Sequence, residues 1–301
     1  MKKIFILLII ASTFISCEKV IPFEGDVTVS KLVINSIFES DSTFKVHVSS
    51  SRSVVDTASF LNIEDAEVKI LDNNGNIVDV LNHINNGFYM GQTYPEENKT
   101  YNLEVKHPNY SNITSLDSLP APININSIDT TTVMDPINGD RIQINLNFDD
   151  PSSFQNYYLL ETYAVSEYIL VEGIDTLEHE IDTAQQYMIL TDVVFQNGGS
   201  PWRDQGLFND LLFNGQNKVL EFEIPFYDES GYEDGYDWSY KISGIRIYLH
   251  NISKSYYYYR TSLELYQNTS GNPFAQPVQV YSNIENGFGI FAGSQITYFD
   301  L

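Results

Sequence analysis

Apolar and polar residues alternate with a period of two through Ile142-Gln143-Ile144-Asn145-Leu146-Asn147-Phe148. An antiparallel strand turns such a pattern into one face for the core and one for water, which a helix of 3.6-residue period cannot do. The same alternation recurs in residues 27–37, 44–48 and 67–71. Asp72-Asn73-Asn74-Gly75-Asn76 then separates that last run from Ile77-Val78-Asp79-Val80. Asn-Gly accepts positive φ at low cost, so a hairpin is predicted there. Asn86-Gly87-Phe88-Tyr89 opens another strand, and residues 100–105 close the set. Short strands at this spacing predict a sandwich of immunoglobulin or transthyretin type. The prolines of Leu119-Pro120-Ala121-Pro122 read as a stiff linker. The expectation is therefore a mainly β chain of two β-sandwich-like domains, residues 26–118 and 123–301, joined by 119–122.

The second domain is predicted as strands at 142–148, 157–165, 187–194, 219–224 and 243–249, all rich in aromatic and β-branched residues. One segment departs from the pattern. Tyr256, Tyr259, Leu263 and Tyr266 recur at intervals of three and four behind Ser253, which predicts one amphipathic helix over 253–267 with Ser253 as its N-cap. A shorter helical turn is expected around 206–212.

The chain holds one cysteine, Cys17. Ahead of it stand Lys2 and Lys3, an apolar run from Ile4 to Ala11, and Ser12-Thr13-Phe14-Ile15-Ser16, the three regions of a secretory signal in order. The run is too short to span a bilayer, which takes roughly 20 apolar residues. Phe14-Ile15-Ser16-Cys17 resembles a loose lipobox, so the reading is a lipoprotein signal over 1–16, acylation of Cys17 and a tether over 17–25. A lone thiol also excludes a disulfide framework and a paired thiolate metal site.

The formal net charge is −24, and the 40 acidic side chains are spread along the chain. Nucleic acid is excluded as a partner, because phosphate backbones call for clustered Lys and Arg. His47, His83, His107, His179 and His250 are dispersed, and neither a nucleophile elbow nor a phosphate-binding glycine loop occurs. No catalytic constellation is identifiable, and no enzymatic activity is expected. The densest acidic segment carries Asp228, Glu229, Glu233, Asp234 and Asp237 around Gly231 and Gly235. Calcium takes six to eight oxygens in flexible geometry, so a calcium site and a solvated loop are both compatible with it. Its interleaved Tyr227, Tyr232, Tyr236 and Trp238 suit either a recognition surface or strand packing. Asp56-Thr57-Ala58, Asp117-Ser118-Leu119, Asp175-Thr176-Leu177 and Asp182-Thr183-Ala184 resemble O-glycosylation tripeptides of exported proteins in Bacteroidota.

The C-terminal block is the most specific part of the sequence. It runs Asn272-Pro273-Phe274-Ala275-Gln276-Pro277-Val278, Tyr281-Ser282-Asn283-Ile284 and Gly287-Phe288-Gly289-Ile290-Phe291-Ala292-Gly293. With the tyrosine-rich helix, the Asn156-Tyr157-Tyr158 strand start and the lipobox, it resembles a Bacteroidota lipoprotein family called domain of unknown function 4249. The resemblance implies a lipid-anchored outer-membrane protein, often encoded near a TonB-dependent transporter, and brings no catalytic residues. Two roles follow as expectations: an accessory to such a transporter in uptake, or a stand-alone adhesive module that binds a glycan, a cation or a protein. Prolines that limit chain entropy and the aromatic Phe274, Tyr281, Phe288 and Phe291 make this block the expected partner contact. The same residues could instead complete the core of the second domain.

Overall fold

The structure, a computed structural model, describes residues 29–53, 60–135, 139–152, 154–173, 175–195, 202–225, 229–233, 235–272 and 274–301. The predicted signal over 1–16, Cys17 and the tether over 17–25 lie outside the described residues, as do Asp228 and Asp234. The first half contains β1 (Leu32–Phe38), β2 (Lys45–Ser50), β3 (Glu67–Leu71), β4 (Ile77–Asn85), β5 (Phe88–Met90), β6 (Thr100–Lys106) and β7 (Ile113–Ser118). The second contains β8 (Ile125–Val133), β9 (Arg141–Asp149), β10 (Tyr157–Glu172), β11 (Asp175–Gln185), β12 (Met188–Leu190), β13 (Trp202–Arg203), β14 (Gln205–Asn209) and β15 (Asn217–Pro225). It continues with β16 (Glu229–Glu233), β17 (Tyr236–Ile252), helix α1 (Lys254–Thr269) and β18 (Phe288–Asp300). The chain is mainly β and sandwich-like, with two sheets and one helix near the C-terminus.

Among the described residues, the larger sheet runs β11-β10-β17-β18-β1-β2-β5-β4-β3-β6-β7, with β14 beside β10 and β16 beside β17. The smaller runs β13-β12-β15-β9-β8. Two large cores result. In the first half the sheet curls upon itself, so that Ile34, Val48, Val68, Leu103 and Ile113, from five strands, share one buried cluster. The curl brings β7 back to the C-terminal segment, where Thr114 bridges Glu285. In the second half Ile144, Leu146 and Phe148 of β9 face Tyr158 and Leu160 of β10 and Ile247 and Leu249 of β17 across the two sheets. The alternation read from 142–148 is thus the core side of β9.

One strand belongs to both halves. The first part of β18 pairs in parallel with β1, from Val33↔Phe288 to Phe38↔Gly293. Its remainder pairs antiparallel with β17, from Ile252↔Ser294 to Arg246↔Asp300. The 119–122 segment makes the other passage: Leu119 is buried in the first core, Ile123 in the second. The predicted hairpin is present, with Gly75 at φ +81° and Asp72 Oδ1 accepting from the Asn74 and Asn76 amides at 2.8 Å each.

The helical turn expected at 206–212 is corrected over 206–209; the chain turns only from Asp210, whose carbonyl accepts from the Phe213 amide at 2.8 Å. Residues 205–209 form β14, which pairs with Tyr157–Glu161 of β10. Leu207 and Phe208 are thereby buried on opposite faces, Leu207 under α1 and Phe208 in the second core. The expected strand at 187–194 shortens to β12 plus a 3-10 turn at Val193–Phe195. Among the described residues, no helix is long and apolar enough to cross a membrane.

Candidate functional site

Helix α1 forms where the sequence marks it. Ser253 is extended at its N-cap and accepts from the Tyr256 amide at 3.2 Å. The helix sets Tyr256 and Tyr257 on a small buried cluster of Tyr157, Leu159, Leu207 and Ile252. Its other face leaves Tyr258, Leu265 and Tyr266 exposed. The cap is also tied to the first half: Ser253 Oγ donates to Asp117 Oδ2 at 2.6 Å, and the Ser118 amide donates to Asp117 Oδ1 at 2.8 Å. Burial pushes the Asp117 carboxyl up to about 6, with the hydrogen bonds from Ser253 and Ser118 pulling the other way.

Between α1 and the β1–β18 junction lies an open cleft of about 300 Å³, lined among others by Asn35, Ile37, Tyr259, Arg260, Leu263 and Ile290. Arg260 is engaged by Gln205 Oε1 and by the Tyr256 hydroxyl, the latter at 3.3 Å. Beneath the helix, three side chains from distant parts of the sequence meet. Ser294 Oγ stands 3.1 Å from His250 Nδ1, and His250 Nε2 stands 3.4 Å from Glu161 Oε2. Glu39 adds a carboxyl whose affinity for its proton is raised by burial and lowered by His250. A Ser-His-acid line evokes nucleophilic catalysis, but a nucleophile has to reach its substrate. Ser294 is 0% exposed, so no carbonyl can approach its hydroxyl in this conformation. The Ser294–His250 contact instead joins β18 to β17, with Glu161 of β10 facing the other side of the ring.

The C-terminal block divides into scaffold and surface. Asn283 clamps the chain, accepting from the Phe291 amide at 3.1 Å and donating to the Phe291 carbonyl at 2.7 Å. Ser115 Oγ donates to the Asn283 carbonyl at 2.9 Å, and the Glu285 amide donates to the Thr114 carbonyl at 2.9 Å. Gly289 sits at φ +105°, and a Cβ there would overlap the Ile34 carbonyl. Only glycine fits both constraints. Phe291 is 0% exposed, its ring 4.7 Å from that of Phe38 in the first core. The expectation that Phe291 meets a partner is therefore corrected: the parallel β1–β18 pairing turns it inward.

The other aromatics of the block are accessible. Phe274 is 95% exposed, and its amide is held by Asn272 Oδ1 at 3.0 Å. Tyr281 lies over the helix, its ring 5.9 Å from Tyr258 and its amide bonded to Ser262 Oγ at 2.8 Å. Phe288 is partly exposed, with Lys31 Nζ 5.2 Å from its ring centre. Tyr258 and Tyr281 thus form an aromatic rim along one side of α1, and Phe274 projects into solvent from the loop that follows the helix.

The acidic segment is a hairpin. β16 pairs with β17 in the register Glu229↔Tyr240, Gly231↔Trp238, Tyr232↔Asp237 and Glu233↔Tyr236. Direct partners share a face, so Glu229 and Glu233 lie on one side and Asp237 on the other. These three of the five expected calcium ligands are not brought to one point, and Asp228 and Asp234 lie outside the described residues. Among the described residues, no group of three metal-ligating side chains converges. Of the four tripeptides, two lie in β11, which is exposed along its whole length, while Asp117 is occupied by Ser253 and Asp56 lies outside the described residues.

No curated protein matches the chain. A family model, described as Domain of unknown function (DUF4249), matches residues 18–299. That span takes in both cores, the tyrosine helix and the C-terminal block, and on it the chain belongs to the DUF4249 family.

Proposed function

We propose that this chain works by recognising a protein partner rather than by catalysis, as a lipoprotein held at the outer membrane through Cys17 and serving as accessory to a TonB-dependent transporter in uptake. The observation that carries this reading is the aromatic rim beside α1. Tyr281 is accessible beside Tyr258 of α1, its amide held by Ser262 Oγ two residues before the Asn283 clamp, and Phe274 is accessible on the loop between them. Aromatics held in place, as Tyr281 is on α1, gain contact area at low entropic cost, which is how hot spots are built. The transporter as partner follows from what the family resemblance implies. The lipid anchor follows from the signal-like segment before Cys17, and the multiple acyl chains of a bacterial lipoprotein would hold durably where one chain binds weakly.

Affinity capture from detergent-solubilised outer membranes tests the reading, using the mature chain, Phe274→Ala and Tyr281→Ala. The expected result is a transporter retained by wild type and lost from both variants at unchanged melting temperature. Absence of a transporter from the wild-type capture would favour the stand-alone binding module. For the anchor, a fatty-acid analogue should label wild type and not Cys17→Ala; label retained in the variant would overturn it.

A further inference from the structure

The side of β10 and β17 that faces the second core does not end where the core ends. On β10 the buried residues Tyr158, Leu160 and Ala164 are followed on the same face by Tyr168 and Leu170. On β17 Ile245 is followed, past a bulge, by Ile242, Tyr240 and Trp238, which pair directly with Ser166, Tyr168 and Leu170. The smaller sheet covers the inner part. The outer part carries β11 on one edge and β16 on the other, forming a four-stranded arm whose edge strand β11 is exposed at every position.

The registers place a row of carboxylates along each edge of this apolar stripe. Asp182, Glu180 and Glu178 stand opposite Ser166, Tyr168 and Leu170. Glu229 and Glu233 stand opposite Tyr240 and Tyr236. The basic groups of the arm lie on the reverse face, where His179 Nε2 and Lys241 Nζ each meet Glu167 at 2.7 Å. Among the described residues, the stripe face of the arm therefore presents carboxylates and no Lys, Arg or His.

We propose that this face of the arm is a docking surface for a cationic protein segment, one that sets apolar side chains on the Tyr168–Trp238 stripe and Lys or Arg against the two acidic rows. Charge complementarity selects this occupant. A second copy of the chain would bring five carboxylates against five, and nucleic acid or an anionic membrane would be repelled. The surface lies on the opposite side of the sheet from α1, so it is independent of the aromatic rim and of the partner proposed there.

The test uses the mature chain and a synthetic peptide of alternating lysine and valine as probe, with its glutamate–valine counterpart as control. The lysine peptide should bind, more weakly as salt rises, and the glutamate peptide should not. Glu180→Lys, beside Tyr168, should weaken binding about tenfold, whereas Asp237→Lys, with the same charge change on the reverse face, should weaken it less than about threefold. Leu170→Ser should weaken binding with circular dichroism unchanged, and Phe274→Ala should leave it intact. Equal effects of Glu180→Lys and Asp237→Lys would reduce the interaction to bulk charge and overturn the proposal. So would failure of the lysine peptide to bind, or a dimer of the free chain that Leu170→Glu dissociates, which would assign the face to a second copy.

Discussion

The inner and outer parts of β10 are the same strand, paired throughout with β17 and alternating with the same period, yet they meet opposite fates. Tyr158 and Leu160 are buried beneath the smaller sheet, while Tyr168 and Leu170, on the same face, lie outside that core and are only half-buried. The difference lies in what covers the strand. Period-two alternation says which side of a strand is apolar; only the placement of a second sheet decides whether that side becomes core or surface.

Truncations along this face should separate the two regions most strongly. Leu160→Ala should cost about 2–5 kcal/mol through lost burial and a residual cavity, and Phe291→Ala in the first core about 3–5 kcal/mol. Leu170→Ala should cost less than about 1 kcal/mol. Chemical denaturation of the three variants checks the ranking, and comparable losses at Leu160 and Leu170 would mean that the outer face is covered in solution.

A smaller effect concerns the polar side of the inner region. The Tyr158 hydroxyl donates to Asp150, whose other oxygen accepts from the Gly215 amide at 2.7 Å. Asp150 raises the phenol's affinity for its proton, as burial does more strongly. Tyr158→Phe should remove one buried donor and cost about 1–3 kcal/mol. The corresponding Tyr168→Phe on the arm should fall within about 0.5 kcal/mol of wild type.

The Asp117 contact between α1 and the first half predicts a pH dependence. Its folded pKa of about 6 lies above the ordinary 3.8, so the folded state holds the proton more tightly than the unfolded chain does. Stability linked to this group is complete below the ordinary value and is lost as pH rises to about 6, by up to roughly 3 kcal/mol. Asp117→Asn should flatten that part of the stability-against-pH curve; a slope unchanged in the variant would assign it to other groups. Phe274→Ala should have the smallest effect on stability, within about 0.5 kcal/mol, because the side chain touches almost nothing.

What was legible in the sequence is what local chemistry dictates. Ser253 and the spacing of Tyr256, Tyr259 and Leu263 announce α1, and Asn74-Gly75 announces a hairpin, because caps and turns are decided within a few residues. The turn expected at 206–212 starts only at Asp210 because Leu207 and Phe208 are claimed by pairing with β10, a partner about fifty residues away in sequence. β11 carries no apolar alternation to read, since both its faces are exposed. The same limit applies at the sites. Phe291 could be sorted from Phe274 only once β18 was seen to run parallel to β1, and the His250–Ser294–Glu161 line joins residues that nothing local connects. The rows flanking Tyr168 are likewise a product of register, invisible until β11 and β16 are placed on either edge.

Recognition of a protein through surfaces that the fold leaves open is tested most directly by site-specific photocrosslinking in intact cells. A photoreactive amino acid would replace Phe274, on the loop after α1, or Ile77, exposed on the first half. The account predicts a discrete adduct with an outer-membrane transporter from position 274 and none from position 77. No adduct from 274, or the same adducts from both positions, would contradict it.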